Sequence, residues 1–178
     1  MPGLAGVIVT RFAPHADERG VFAEIFRASW PTGVAPIQWN LVSSQAHVLR
    51  GVHLHVTHAD YLMCIAGEMK LVLKDARPDS PTSGQVGVHT LGEHEPAAVT
   101  IPPGVAHGFY FAMPAKHIYS VSHYWNVDDE LGCRWDDPAL GVDWGVTDPI
   151  LSPRDRDAGG YEAMVAAFVD KRARAEAS

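Results

Sequence analysis

Cysteine is nearly missing from this chain: there are two in 178 residues, Cys64 inside an apolar run and Cys133 beside Arg134. Neither spacing nor number makes a zinc or disulfide framework, so both read as packing residues in a reducing compartment. Positive charge is scarce as well. Fourteen Lys and Arg against 21 Asp and Glu leave a formal charge of -7, which argues against general affinity for nucleic acid or an anionic membrane. Any phosphate must then be met by a few placed arginines. No run approaches membrane-spanning length, and the start "MPGLAGVIVTRF" lacks the basic-then-apolar order of a secretory leader. The expectation is a soluble, cytoplasmic protein. Repeats, low-complexity tracts and linkers are also missing. With 47% apolar residues, residues 1–178 can form one domain with a sizeable core.

What is present is a series of short segments rich in Val, Ile, Tyr and Phe, set between Gly, Pro and Asp. That pattern belongs to all-β sandwiches and barrels. It predicts strands at "GVIVTRF", "VFAEIF", "QWNLVSS", "YLMCIAG", "EMKLVLKDA", "GQVGVHTL", "AAVTIP", "HGFYFAM" and "KHIYSVSHYW". Helical spacing is convincing only in "YEAMVAAFVDKRARAEA", where Lys171, Arg172 and Arg174 sit near the C-terminus and suit the helix dipole. This predicts one outer C-terminal helix. "DARPDSPTSG" reads as a turn, because Pro78, Pro81 and Gly84 interrupt both periodicities.

The stretch "LRGVHLHVTHADYLMCIAGE", residues 49–68, concentrates the chemistry. His53 and His55 are two apart, so on a strand they share a face and, in a barrel, converge inward. With Asp60, Gly67 and the later "PPGVAHGF" containing His107, the pattern resembles the two metal motifs of the cupin family, although cupins usually carry Glu where Asp60 stands. Three imidazoles and a carboxylate would suit Mn, Fe, Ni or Zn. The alternative is that these are acid-base groups for a sugar.

Over residues 19–155 the sequence resembles the cupin-type dTDP-4-dehydrorhamnose 3,5-epimerase family. "DERGVFAEIF", "QWNLVSS", "VLRGVH", "SPTSG", "IPPGVAHGF", "IYSVSHYW", "WDDPALGVDW" and "LSPRD" occur in the family's order. The resemblance implies a cupin-type jelly-roll barrel, a homodimer and a nucleoside-diphosphate sugar, with a dTDP-sugar expected, bound inside the barrel without a cofactor. Inverting a carbon beside a ketone needs a base on one face, an acid on the other and stabilisation of the enolate. By resemblance His53 is the base, Asp155 the carboxylate that orients it, and Tyr119 the opposing acid. Arg19 and Arg50 match positions that face the diphosphate, where guanidinium makes paired charge-assisted bonds. Glu24, Gln38 and Asn40 match polar positions near the nucleotide, Phe22 and Trp125 positions that stack or pack on base and sugar, and His107 a further substrate contact.

One position departs from the family. Alignment on "AGE" puts Asp60 where the epimerases carry a lysine credited with stabilising the enolate oxygen. An ionised carboxylate there would repel that oxygen, and loss of one good donor costs roughly 3–4 kcal/mol of transition-state stabilisation. Either another group substitutes (a charged His58, Arg50, or a metal on His53, His55, Asp60 and His107) or the reaction differs. A His53 lone pair given to a metal cannot also take a proton. Three readings therefore stay open: a 4-keto-6-deoxyhexose epimerase, a metal-dependent cupin isomerase or dioxygenase, and a non-catalytic sugar-binding cupin.

Overall fold

The computed structural model describes residues 3–177. Its strands are β1 (Ile8–Arg11), β2 (His15–Asp17), β3 (Gly20–Phe22), β4 (Gln38–Ser44), β5 (Val48–His55) and β6 (Asp60–Ala66). They continue with β7 (Glu68–Asp75), β8 (Val86–Gly92), β9 (Ala97–Ile101), β10 (Val105–Phe111), β11 (Ala115–Val121) and β12 (Glu130–Gly132). Two α-helices follow among the described residues, α1 (Pro153–Arg156) and α2 (Tyr161–Glu176).

One sheet has the order β1-β9-β6-β11-β4 and the facing one β12-β5-β10-β7-β8. The antiparallel pairs are nested: β7 with β8, β6 with β9, β5 with β10 and β4 with β11. This is one long hairpin wrapped over two sheets, the jelly roll expected from the strand pattern. Nesting explains how residues far apart in sequence become neighbours, since His53 on β5 falls opposite His107 on β10.

Alternation divides each strand between two environments. On β6, Leu62 and Cys64 enter the core between the sheets with Leu71, Leu73, Val99 and Phe111. Tyr61 and Met63 point the other way, under a cover that includes Phe12, Phe26 and Val34. On β5, Leu49, Val52 and Leu54 face a third cluster made with Trp144, Met164 and Phe168. Met164 and Phe168, four apart, are the buried face of α2, so the C-terminal helix covers the outside of a sheet, as its periodicity predicted.

Three expectations are corrected in extent. "VFAEIF" was expected to be a strand, but pairing stops at Phe22, because β2 and β3 form only a two-stranded ribbon and residues 23–26 have no partner strand. Phe26 packs instead against the rings of Trp39 and Tyr61. "HGFYFAM" begins earlier, at Val105, and "KHIYSVSHYW" ends at Val121, where the chain turns away before Trp125. The turn predicted in "DARPDSPTSG" is built around Asp75, which is fully buried. Its carboxylate accepts from Arg77 Nε and Nη2 at 2.8 Å, Ser80 Oγ at 2.5 Å and Thr82 Oγ1 at 2.6 Å. The Ser-Pro-Thr stretch thus holds a turn and lies outside the pocket described below.

Candidate active site

A cavity of about 210 Å³ opens between the sheets at one end of the barrel. Arg50, His53, His55, His107 and Phe109 line it from one sheet, and Val42, Asp60, Leu62, His117, Tyr119 and Val121 from the other. His53 and His55 therefore share a face, as expected. Arg50 joins them only because of an irregularity. Strict alternation would turn Arg50 to the face opposite His53, but the β5–β10 register shifts between His107 and Gly108, which oppose His53 and Gly51. The extra residue in β5 restores the parity. Only glycine fits at 51: its φ is +117°, and a Cβ there would lie 2.8 Å from both Gly108 Cα and His107 O.

His53 Nε2 lies 2.7 Å from Asp155 Oδ1. Burial works to raise the Asp155 carboxyl, but the His53 bond and charge, with bonds from Ser152 and Gly51, hold it below its ordinary value. The ionised carboxylate can only accept, so the His53 proton sits on Nε2 and the lone pair on Nδ1. Asp155 reaches this position because Ser152 caps α1, its Oγ accepting from Asp155 N at 3.1 Å. Tyr119 stands on the facing sheet. Burial, together with Asp60 and Glu130, raises its phenol above the usual value and keeps it protonated.

The other histidines are sorted by their carboxylates. His58 Nδ1 donates to Asp129 Oδ2 at 2.5 Å. Asp129 also accepts from the backbone N–H of Val56, Thr57 and His58, closing the β5–β6 turn. Burial opposes the charged form of His58, but Asp129 and Asp60 outweigh it and raise the imidazole. Asp60 is pushed up to about 7, chiefly by burial. Burial also takes His55 well below its ordinary value, helped by the neighbouring imidazoles His107 and His58. His107 is lowered to about 3 by burial and by His53.

Of the substrate positions, Arg50, His107 and Trp125 line the cavity. Arg50 is steadied by Ser44 Oγ, to which its Nε donates at 3.0 Å. Gln38 and Asn40 are outside the lining, though Gln38 Oε1 accepts from Trp125 N at 3.2 Å and Gln38 Nε2 donates to Asn40 Oδ1 at 3.0 Å. Arg19, Phe22 and Glu24 are not brought to this cavity. Arg19 is exposed on the β2–β3 turn and paired with Asp17, Phe22 is 64% exposed, and Glu24 pairs with Arg27. The four-ligand set is not assembled either. Among the described residues the groupings that could hold an ion are His55, Asp60 and His107, and His55, His58 and Asp129, without His53. His53 instead has its Nε2 bonded to Asp155.

Sequence reasoning did not place Asp129, His117, Glu130, Ser152 or Arg154 at the site. Arg154, paired with Glu130, brings a second cation to the cavity wall. Its nearness to Asp155 in "LSPRD" was the available signal; Asp129 had none, lying 71 residues from His58.

Residues 2–162 match the model of a family described as dTDP-4-dehydrorhamnose 3,5-epimerase. The chain belongs to that family. It is 34% identical over 173 residues to a dTDP-4-dehydrorhamnose 3,5-epimerase of Neisseria gonorrhoeae, covering 91% of this chain and 53% of the relative; the chain thus spans about half that protein's length. NovW, a 4-keto-6-deoxy sugar epimerase from Streptomyces spheroides, superposes with a TM-score of 0.85 at 30% identity, covering 97% of this chain and 89% of NovW. The dTDP-6-deoxy-D-glucose-3,5-epimerase of Legionella pneumophila, solved in complex with dTDP-4-keto-L-rhamnose, gives 0.82 at 31% identity over 91% of each chain. Membership in the dTDP-4-dehydrorhamnose 3,5-epimerase family matches the motif order in the sequence and the jelly roll. No helix among the described residues is long and apolar enough to cross a membrane.

Proposed function

We propose that this chain epimerises a nucleoside-diphosphate 4-keto-6-deoxyhexose, with dTDP as the nucleotide, at C3, C5 or both. The observation that carries this reading is the His53–Asp155 pair on one wall of the cavity with Tyr119 on the facing wall. His53 Nδ1 takes the proton alpha to the ketone, and Asp155 stabilises the imidazolium that results. Tyr119 delivers a proton to the opposite face, having kept it because burial raises the phenol. Arg50, facing the cavity beside the base, is the residue for the diphosphate.

The cavity of about 210 Å³ is smaller than the roughly 300–1,000 Å³ of sites for drug-sized ligands. It accommodates the sugar, and the nucleotide extends outside. Arg19, Phe22 and Glu24 then have a place only if a second copy of the chain brings them to this mouth, which supports the homodimer. The edge strand β4 favours such an association, since Trp39 and Leu41 are 43% and 67% exposed on its outer face. A cytoplasmic setting accords with two free, buried cysteines.

The test is solvent exchange. A dTDP-4-keto-6-deoxyhexose incubated with the protein in heavy water should gain deuterium at C3, C5 or both, and His53→Ala should abolish the gain. Tyr119→Phe should leave exchange while suppressing inversion, because the base can return a solvent proton to its own face. Binding without any exchange would overturn the enzyme reading and leave a sugar-binding cupin.

A further inference from the structure

The epimerase reading employs His53, Asp155 and Tyr119 but gives no work to a second group in the same cavity. Asp60 Oδ2 lies 3.4 Å from His55 Nε2 and 3.8 Å from His107 Nε2, and each of the three side chains is less than a tenth exposed. Among the described residues Asp60 Oδ2 has no hydrogen-bond partner, and neither has His55 Nδ1. Burying such polar atoms unpaired is costly.

The tautomers make the group more specific. His107 Nδ1 lies 3.2 Å from the Val105 carbonyl oxygen. A carbonyl only accepts, so the proton is on Nδ1 and the bare lone pair of Nε2 points to Asp60 Oδ2. Two lone-pair atoms facing each other repel unless a proton or a metal ion lies between them, and at 3.8 Å a shared proton bonds poorly whereas an ion fits. The three donor atoms lie within 4.8 Å of one another, a separation that ligands about 2.0–2.2 Å from a shared ion can close with small side-chain adjustments.

Two of the three side chains, His107 and Asp60, have orienting partners behind them of the kind found behind metal ligands, while His55 Nδ1 has none among the described residues. Val105 O fixes the ring of His107. Asp60 Oδ1, the oxygen turned from the cluster, faces His58 Nε2 at 3.8 Å, and His58 is anchored in turn by Asp129. His53 stands apart, its Nε2 on Asp155.

From this geometry we propose that His55, Asp60 and His107 form a binding site for one divalent transition-metal ion, with its open positions toward the cavity. Two imidazoles and a carboxylate suit Zn(II), Fe(II), Co(II) or Ni(II). Such an ion would put positive charge beside the base, where Asp60 replaces the family's lysine, and would do so without taking the His53 lone pair. The ion's use in epimerisation rests on the proposed function; its binding does not, and is measured without substrate.

The experiment strips the whole protein with chelator and titrates it with Co(II) and, separately, Zn(II). Calorimetry gives stoichiometry and affinity, and the visible absorption of Co(II) reports nitrogen and oxygen ligation. One equivalent should bind, with Co(II) bands in the visible. His107→Gln and Asp60→Asn should each weaken binding by about 100-fold or more, Asp129→Asn by roughly 10- to 100-fold through His58, and His53→Ala hardly at all. Failure of the wild-type chain to take up one equivalent of either ion would overturn the proposal, whatever the variants do. Loss of binding in His53→Ala comparable to that in His107→Gln, with both variants folded by circular dichroism, would overturn this ligand set. Deuterium exchange by a chain that binds no metal would leave the epimerase reading intact, so the two can fail separately.

Discussion

Replacing Gly51 with alanine tests how β5 carries Arg50, His53 and His55 on one face. At φ +117° a Cβ is strained before any neighbour is considered, and left-handed backbone costs an L-residue roughly 1–2 kcal/mol. The new methyl would also sit 2.8 Å from Gly108 Cα and from His107 O. Both are backbone of the paired strand β10 and cannot swing aside as a side-chain tip could. Overpacking of this kind costs about 1–3 kcal/mol. Gly51→Ala should therefore lose about 2–5 kcal/mol, a large part of the roughly 5–15 kcal/mol that stabilises a domain. At about 2–4 °C per kcal/mol for this chain length, the melting temperature should fall by about 4–20 °C. Gly84→Ala is the control, because Gly84 also has positive φ, +74°, but nothing within 4 Å of its Cβ. It should show the conformational cost alone, roughly 1–2 kcal/mol. Thermal and urea unfolding followed by circular dichroism would measure both. Equal losses in the two variants, or a Gly51→Ala melt within about 2 °C of wild type, would refute the close-approach reasoning.

Asp75→Ala should cost about 3–5 kcal/mol, because Arg77, Ser80 and Thr82 lose their shared acceptor in a buried setting; urea unfolding checks it. Asp75 is held at about 2, below its ordinary 3.8: burial pushes it upward, and the bonds from Arg77, Ser80 and Thr82 more than offset this. The folded state thus favours its ionised form. That contribution, about 2 kcal/mol, is complete above roughly pH 4 and lost as pH falls through about 2, so the Asp75→Asn difference from wild type should shrink across that window. Arg50→Ala should weaken dTDP binding about tenfold or more, as loss of a charged hydrogen bond predicts, and the loss should be larger at low salt; unchanged affinity by calorimetry would remove Arg50 from the diphosphate. Asp155→Asn should lower kcat by roughly 10²-fold or more with a smaller change in KM, since it removes the charge that stabilises the imidazolium; a change confined to KM in steady-state kinetics would contradict that role.

The sequence by itself determined the parts that depend on near neighbours. Short apolar segments set between Gly, Pro and Asp, among them "QWNLVSS" and "YLMCIAG", marked β4 and β6, Pro and Gly marked the turn after β7, and helical spacing in "YEAMVAAFVDKRARAEA" marked α2. The two-residue spacing of His53 and His55 likewise put both on one face, because side-chain direction along a strand is set locally. The resemblance already paired His53 with Asp155, but only the tertiary structure showed that contact and assigned the other imidazoles to their carboxylates. His53 meets Asp155 across 102 residues and His58 meets Asp129 across 71, while His55 and His107 turn to Asp60. The H-x-H spacing alone allowed His53 and His55 to act as one ligand pair, and the fold separates them. It was also the fold that turned Arg50 inward through the shift at Gly51 and left Arg19, Phe22 and Glu24 away from the cavity. These outcomes depend on nested strand pairing and on one extra residue in one strand. Periodicity records how a side chain points relative to its neighbours along the chain, whereas a polar pair forms where the folded backbone brings two distant groups within bonding distance.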